Sequence, residues 1–257
     1  MTNFDVNLNH YSDAEKLFAK QVLGWFFQAD EKSFLTVFLN PQEQKILLEL
    51  SKQTGFSVRF DGGYQKAENK RALIGDHKEN DFQISLLQLN YASHYVHLHH
   101  STVVLGSLLH HGISYDRIGD VIHENDNWQL LIDSSLADFV VENVKRAASK
   151  KITFEKISFE KILNPQSDEK EKEIVISSQR IDLLISQIYN FSRAHAKDLI
   201  ESGQVMVNWF EKDNTSYLAK LGDVVSTHGY GRIRLIATRG TTNRNKIRLK
   251  IGIVGKG

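Results

Sequence analysis

Residues 180–209, "RIDLLISQIYNFSRAHAKDLIESGQVMVNW", place two short helices, a glycine exit and a strand in immediate succession. Ile181, Leu184, Ile185 and Ile188 recur at i, i+3, i+4 and i+7, which is one apolar helix face with Arg180 at its start. In the second helix Ser192 is the N-cap residue, Ala196, Leu199 and Ile200 face inward, and Gly203 follows the C-terminus. Arg193 and Lys197 are then i, i+4 neighbours on the exposed flank. Two like charges near a helix N-terminus repel each other and oppose the positive end of the macrodipole, so folding alone does not favour them. An anion does favour them: free N–H groups, the dipole and both cations converge on one phosphate.

Charge is distributed in the same sense. The net charge of +1 conceals a basic C-terminus, with 13 Lys and Arg against 6 Asp and Glu from Arg180 onward, and 19 against 25 before it. Such segregation suggests a polyanion-binding module on a mildly acidic body. Arg232 and Arg234 alternate with Ile233 and Leu235, and Lys246, Arg248 and Lys250 alternate with Ile247, Leu249 and Ile251. One face of these strands packs, and the other is expected to be uniformly positive and to track a phosphate backbone.

The chain has 257 residues, 41% of them hydrophobic, enough for two or three small domains, and no cysteine. There is therefore no disulfide framework, thiol nucleophile or cysteine metal site. The N-terminus lacks a basic region followed by an apolar core, and polar residues interrupt the uncharged stretch from Phe82 to Tyr115. A soluble, cytoplasmic protein without membrane insertion is expected.

Residues 1–80 read as a small α/β domain. Ser12 and Glu15 begin one helix with a capping box; Asn40, Pro41 and Glu43 begin a second, which Gly55 ends. Residues 81–162 follow the order β-α-β-β-α-β, the ferredoxin-like arrangement shared with RNA-recognition-motif domains. In the RNA-binding version aromatics on central strands stack bases. Here only Trp128 and Tyr91 could do so, and a structural or protein-contacting domain is expected. Residues 163–175, "LNPQSDEKEKEIV", contain a Pro, a turn cluster and a charge run, and read as a linker. Residues 176–257 complete an α+β chain.

"RIDLLI", "SRAHAKDLIESGQVMVN", "LGDVV" and "GYGRIRL" resemble the small RNA-binding domain named after ribosomal small-subunit protein four, also called the αL motif. The resemblance implies two helices packed on a small sheet, with Arg180, Ser192, Arg193, Lys197 and Asn208 lining an RNA-facing groove. Arg232 and Arg234 add to that surface through their strand. Upstream, "FDGGYQKAENKRALIG" and "HHGISYDRIGDVI" are similar to the YlmH family of bacterial RNA-binding proteins. That resemblance implies binding to the large ribosomal subunit carrying peptidyl-tRNA, in rescue of stalled translation; a monomer that binds structured rRNA or tRNA is expected. It also implies an association with cell division, so that division proteins are further partners.

No catalytic residue or cofactor is expected. The catalytic H-R-L-D context of pseudouridine synthases is missing, with Gln179 in place of the His, and Asp182 reads as a helix-dipole residue. The H-I-G-H and K-M-S-K-S sequences of tyrosyl-tRNA synthetases and a glycine-rich dinucleotide fingerprint are also missing. His94, His97, His99 and His100 lie too close together along extended chain to converge on one tetrahedron, and no metal site is expected. An RNA-modifying enzyme with an unrecognised N-terminal site, and an interaction scaffold for division, stay open as alternatives.

Overall fold

The computed structural model describes residues 6–29, 32–75, 81–91, 101–147, 150–165 and 169–255. The histidine cluster at 94–100 lies outside the described residues. The chain forms two compact units, Met1–Gln166 and Ser167–Gly257.

The first unit contains α1 (Asp13–Ala29), β1 (Phe34–Leu39), α2 (Pro41–Thr54), β2 (Val58–Asp61) and β3 (Lys70–Ile74). It continues with β4 (Ile84–Tyr91), α3 (Ser101–His110), β5 (Ile118–Glu124), β6 (Asn127–Asp133), α4 (Ser134–Asn143), β7 (Arg146–Ala147) and β8 (Lys150–Ile157). Both expected capping boxes form: Ser12 N–H donates to Glu15 Oε2 at 2.8 Å, and Asn40 N–H to Glu43 Oε2 at 2.8 Å. Gly55 ends α2 at φ 83°, as a left-handed cap. Strands β1, β3 and β2 form an antiparallel sheet in that order, and the remaining strands a five-stranded sheet in the order β5-β6-β4-β8-β7. The latter is the ferredoxin-like order with one extra edge strand.

Within the first unit a part-buried polar joint connects residues 1–80 to residues 81–162. Asp120 on β5 accepts from Tyr64 Oη at 2.8 Å, Glu68 N–H at 2.7 Å, and Asn69 N–H and Nδ2 at 3.0 Å each. Burial and the adjacent carboxylate push the Tyr64 phenol far above its ordinary pKa, so it stays a neutral donor. The buried Arg71 donates to Thr36 O and Gln83 O, and its Nη1 lies 3.1 Å from Asp133. The Phe38 ring packs directly on the β5 backbone at Gly119, where a Cβ would fall 2.8 Å from it. The "DGGYQKAENKR" and "DRIGDV" stretches are therefore the two halves of this joint.

The base-stacking role considered for Trp128 and Tyr91 does not survive, because side chains alternate across the sheet. Trp128 is buried on the helix-covered face with Leu87, Leu89, Leu130 and Ile132, stacked on His123 at 4.4 Å, and Tyr91 packs against the same cluster. The opposite face, on which RNA-recognition motifs stack bases, is covered by this chain itself. Tyr64, Ile162 and Leu163 lie over Leu86, Ile122 and Leu131. Gln129, also buried there, donates to Lys161 O and accepts from Leu163 N–H at 2.9 Å each.

The second unit contains β9 (Lys170–Ile176), α5 (Ile181–Tyr189), α6 (Arg193–Glu201), β10 (Val205–Val207), β11 (Phe210–Glu211), β12 (Val224–Thr227), β13 (Gly231–Thr241) and β14 (Ile247–Gly255). The six strands pair in the order β11-β10-β12-β13-β14-β9, and α5 and α6 share one core with the sheet. The linker expected at 163–175 is corrected here: its second half is edge strand β9, antiparallel to β14. The charge run conceals a period-two pattern. Ile174 and Ile176 enter the core, while Glu171, Glu173 and Val175 face outward.

Candidate nucleic-acid interface

Helix α5 begins at Arg180, which bridges to Leu218, while Ile181 N–H donates to Tyr217 O at 3.0 Å. The helix ends on Asn190, left-handed at φ 56°, and Phe191 N–H returns to Ser186 O. Two residues later α6 starts on Ser192, whose hydroxyl accepts from His195 N–H at 3.1 Å. This tight corner brings Arg193 back onto the first turn of α5.

Asp182 holds the corner together. Its carboxylate is fully buried and accepts from Arg180 Nε at 3.0 Å, Arg180 Nη2 at 2.9 Å and Arg193 Nε at 3.1 Å. Burial acts to raise the Asp182 pKa, but hydrogen bonds and charge from the two guanidiniums outweigh it and hold the group below the ordinary carboxylate value. The same carboxylate raises the pKa of Arg180. Part of the anion that the α6 terminus was expected to need thus comes from the chain itself.

The charges do not cancel, since two guanidiniums meet one carboxylate. Arg193 engages Asp182 through one of a guanidinium's five N–H groups, and its side chain is 52% exposed. Lys197, one turn later and part-exposed, makes no ion pair among the described residues. The corner therefore carries rigidly placed positive charge with unused donors, a geometry suited to phosphate oxygens.

The other expected site residues separate from this corner. Ser192 serves as the α6 cap. Asn208 locks the β10–β11 turn, donating from Nδ2 to Asp223 Oδ1 and accepting from Val224 N–H at 2.9 Å each. Arg232 and Arg234 lie on the sheet face away from the helices, opposite in orientation to the buried Ile233 and Leu235. That face is not uniformly positive, because β9 and Glu169 just before it supply acids to it. Arg234 is paired in bidentate fashion with Glu169, Lys250 lies 2.6 Å from Glu171, and Arg239 lies 4.0 Å from Glu173. Gly252 makes the first pairing feasible: a Cβ there would sit 2.3 Å from the Glu169 carboxyl carbon.

Two features escaped sequence reasoning. Asp182 was legible only as a helix-dipole residue, although its place two residues after Arg180 in "RID" was the available signal. Trp209 adopts φ 66° immediately after Asn208 at φ 51°, where a turn of this kind ordinarily has Asn-Gly. Among the described residues no group of three or more His, Asp or Glu could hold a metal ion, and no helix is long and apolar enough to cross a membrane.

Comparison with known proteins gives a consistent assignment. Residues 77–161 match the model described as "Putative RNA-binding domain in YlmH", and residues 179–225 match the S4 domain. The chain is 31% identical over 246 residues to "Ribosome-associated protein quality control protein P2" of Bacillus subtilis, covering 93% of this chain and 95% of that one. A solved structure, "Cell division protein ylmH from Streptococcus pneumoniae", is 23% identical with a TM-score of 0.53, covering 61% of this chain and 99% of that one, a likeness of fold. With both domain models in the expected order and a relative similar over nearly its whole length, the chain belongs to the YlmH family, with an S4 domain at its C-terminus.

Proposed function

We propose that this is a non-enzymatic, cytoplasmic protein that grips structured rRNA or tRNA through its S4 domain, on the large ribosomal subunit carrying peptidyl-tRNA, in rescue or quality control of stalled translation. The observation that carries the reading is the Arg180–Asp182–Arg193 corner with Lys197 beside it. A fold in need of neutrality would place one cation on a buried carboxylate; here two share it, and a third stands one helical turn away. The two guanidiniums are held in position by Asp182, so binding costs little ordering of their side chains. Arg180, Arg193 and Lys197 make the phosphate contacts, and Ser192 and Asn208 shape the surface that presents them. The name of the Bacillus subtilis relative, a ribosome-associated quality control protein, supports the ribosomal setting.

The test is co-sedimentation of the full chain with purified ribosomal subunits, with and without peptidyl-tRNA on the large one. Migration with the large subunit, strengthened by peptidyl-tRNA and weakened in Lys197→Ala, is the expected result. Migration with the small subunit alone, or with neither, refutes the proposed setting.

A further inference from the structure

We infer that the open face of the C-terminal sheet carries a second RNA contact, a stacking site for one unpaired base built from Trp209 and Arg232. This rests on the RNA-binding reading above but uses a surface separate from the helix corner. Val207 pairs with Phe210, which leaves Asn208 and Trp209 as a two-residue turn with φ of 51° and 66°. Asn suits such a position and Gly is the usual second residue; a bulky side chain there is an outlier. The turn has no freedom to relax, because Asn208 N–H donates to Val224 O and its side chain bonds both Asp223 and Val224.

Core packing does not account for the tryptophan. Its ring belongs to neither the buried set nor the partly buried apolar residues packed against the core of this unit. Instead the Arg232 guanidinium carbon lies 5.8 Å from the ring centroid. Arg232 stands in the cross-strand row Met206–Ser226–Arg232–Val254, in which Met206 and Val254 are exposed. A partly exposed indole, a guanidinium over it and flanking aliphatic side chains form the kind of surface on which a nucleobase of any identity stacks. The strip nearer β9 lacks this character, since Glu169 and Glu171 pair with Arg234 and Lys250.

The experiment uses the full chain and two RNA probes, a hairpin with a single bulged adenosine and the same stem fully paired. Trp209→Gly relieves the turn, so the melting temperature of the C-terminal unit should stay level or rise. Affinity for the bulged hairpin should fall about tenfold, with affinity for the paired stem unchanged. Trp209→Phe should retain most of the affinity. Trp25 and Trp128 are buried, so quenching of tryptophan emission by the bulged hairpin should report Trp209 and disappear in Trp209→Phe while binding persists. Unchanged affinity of Trp209→Gly for the bulged hairpin, with Lys197→Ala weakened on both probes, overturns the stacking site and leaves the helix corner standing. A lower melting temperature with affinity lost for both probes makes Trp209 structural. Wild-type protein that binds neither probe overturns the RNA-binding reading and this inference together.

Discussion

Alanine at Arg193 and alanine at Lys197 remove like charges one helical turn apart, yet the structure makes the two changes unequal. Arg193 donates one charge-assisted bond to a carboxylate that has no access to water. Such bonds contribute about 1.5–3 kcal/mol. Two features reduce the figure here: Arg193 is half exposed, and Arg180 keeps two bonds to Asp182. Arg193→Ala should therefore destabilise the C-terminal unit by about 1–1.5 kcal/mol, lowering its melting temperature by about 5–10 °C. Lys197 has no such partner, and Lys197→Ala should stay within about 0.5 kcal/mol of wild type. In a salt titration of RNA binding, Lys197→Ala should flatten the slope of log K against log salt by roughly 0.7–0.9 and weaken binding equally across sequences. Arg193→Ala should show a comparable change in slope together with its loss of stability. Equal thermal shifts for the two variants would refute the Asp182 bridge as the source of the difference, and an unchanged slope for Lys197→Ala would refute the phosphate site.

Asp182 carries a pH signature. Its folded-state pKa lies below the ordinary value of 3.8, so its contribution is complete above that value and is lost as pH falls through the folded value. Asp182→Asn should lower stability at neutral pH by about 2 kcal/mol, the scale of charge-assisted hydrogen bonds to partly exposed guanidiniums, and flatten the acid limb of the unfolding curve below about pH 4; an acid limb parallel to wild type would count against the assignment. Removing residues 1–166 should leave a folded S4 unit, while removing 1–175 deletes β9, exposes Leu249, Ile251 and Ile253, and should abolish cooperative unfolding by circular dichroism. Glu169→Gln combined with Glu171→Gln releases Arg234 and Lys250 from their partners and should tighten RNA binding and steepen its salt dependence; no change in slope would place that part of the sheet outside the RNA footprint.

The sequence alone determined what depends on near neighbours. The caps at Ser12, Asn40 and Ser192, the apolar faces of α5 and α6, and the β-α-β-β-α-β order follow from contacts within a few residues, where spacing and residue type suffice. The basic corner was legible for the same reason, since Arg193 and Lys197 are one turn apart. Tertiary structure decided whatever joins distant segments. "KEKEIVI" reads as a solvated charge run until β14 lies beside it; only then do its isoleucines enter the core and its glutamates, Glu171 and Glu173, meet Lys250 and Arg239 from far along the chain. Asp182 reads as a helix-start residue until the α5–α6 turn returns Arg193 to it. The β-α-β-β-α-β order leaves both faces of the central sheet unassigned until residues 64 and 162–163 cover one and the alternation of β6 buries Trp128 on the other. In each case the deciding quantity is which side of a strand a side chain occupies or which remote charge shares its desolvated space, and neither is fixed until the chain has folded.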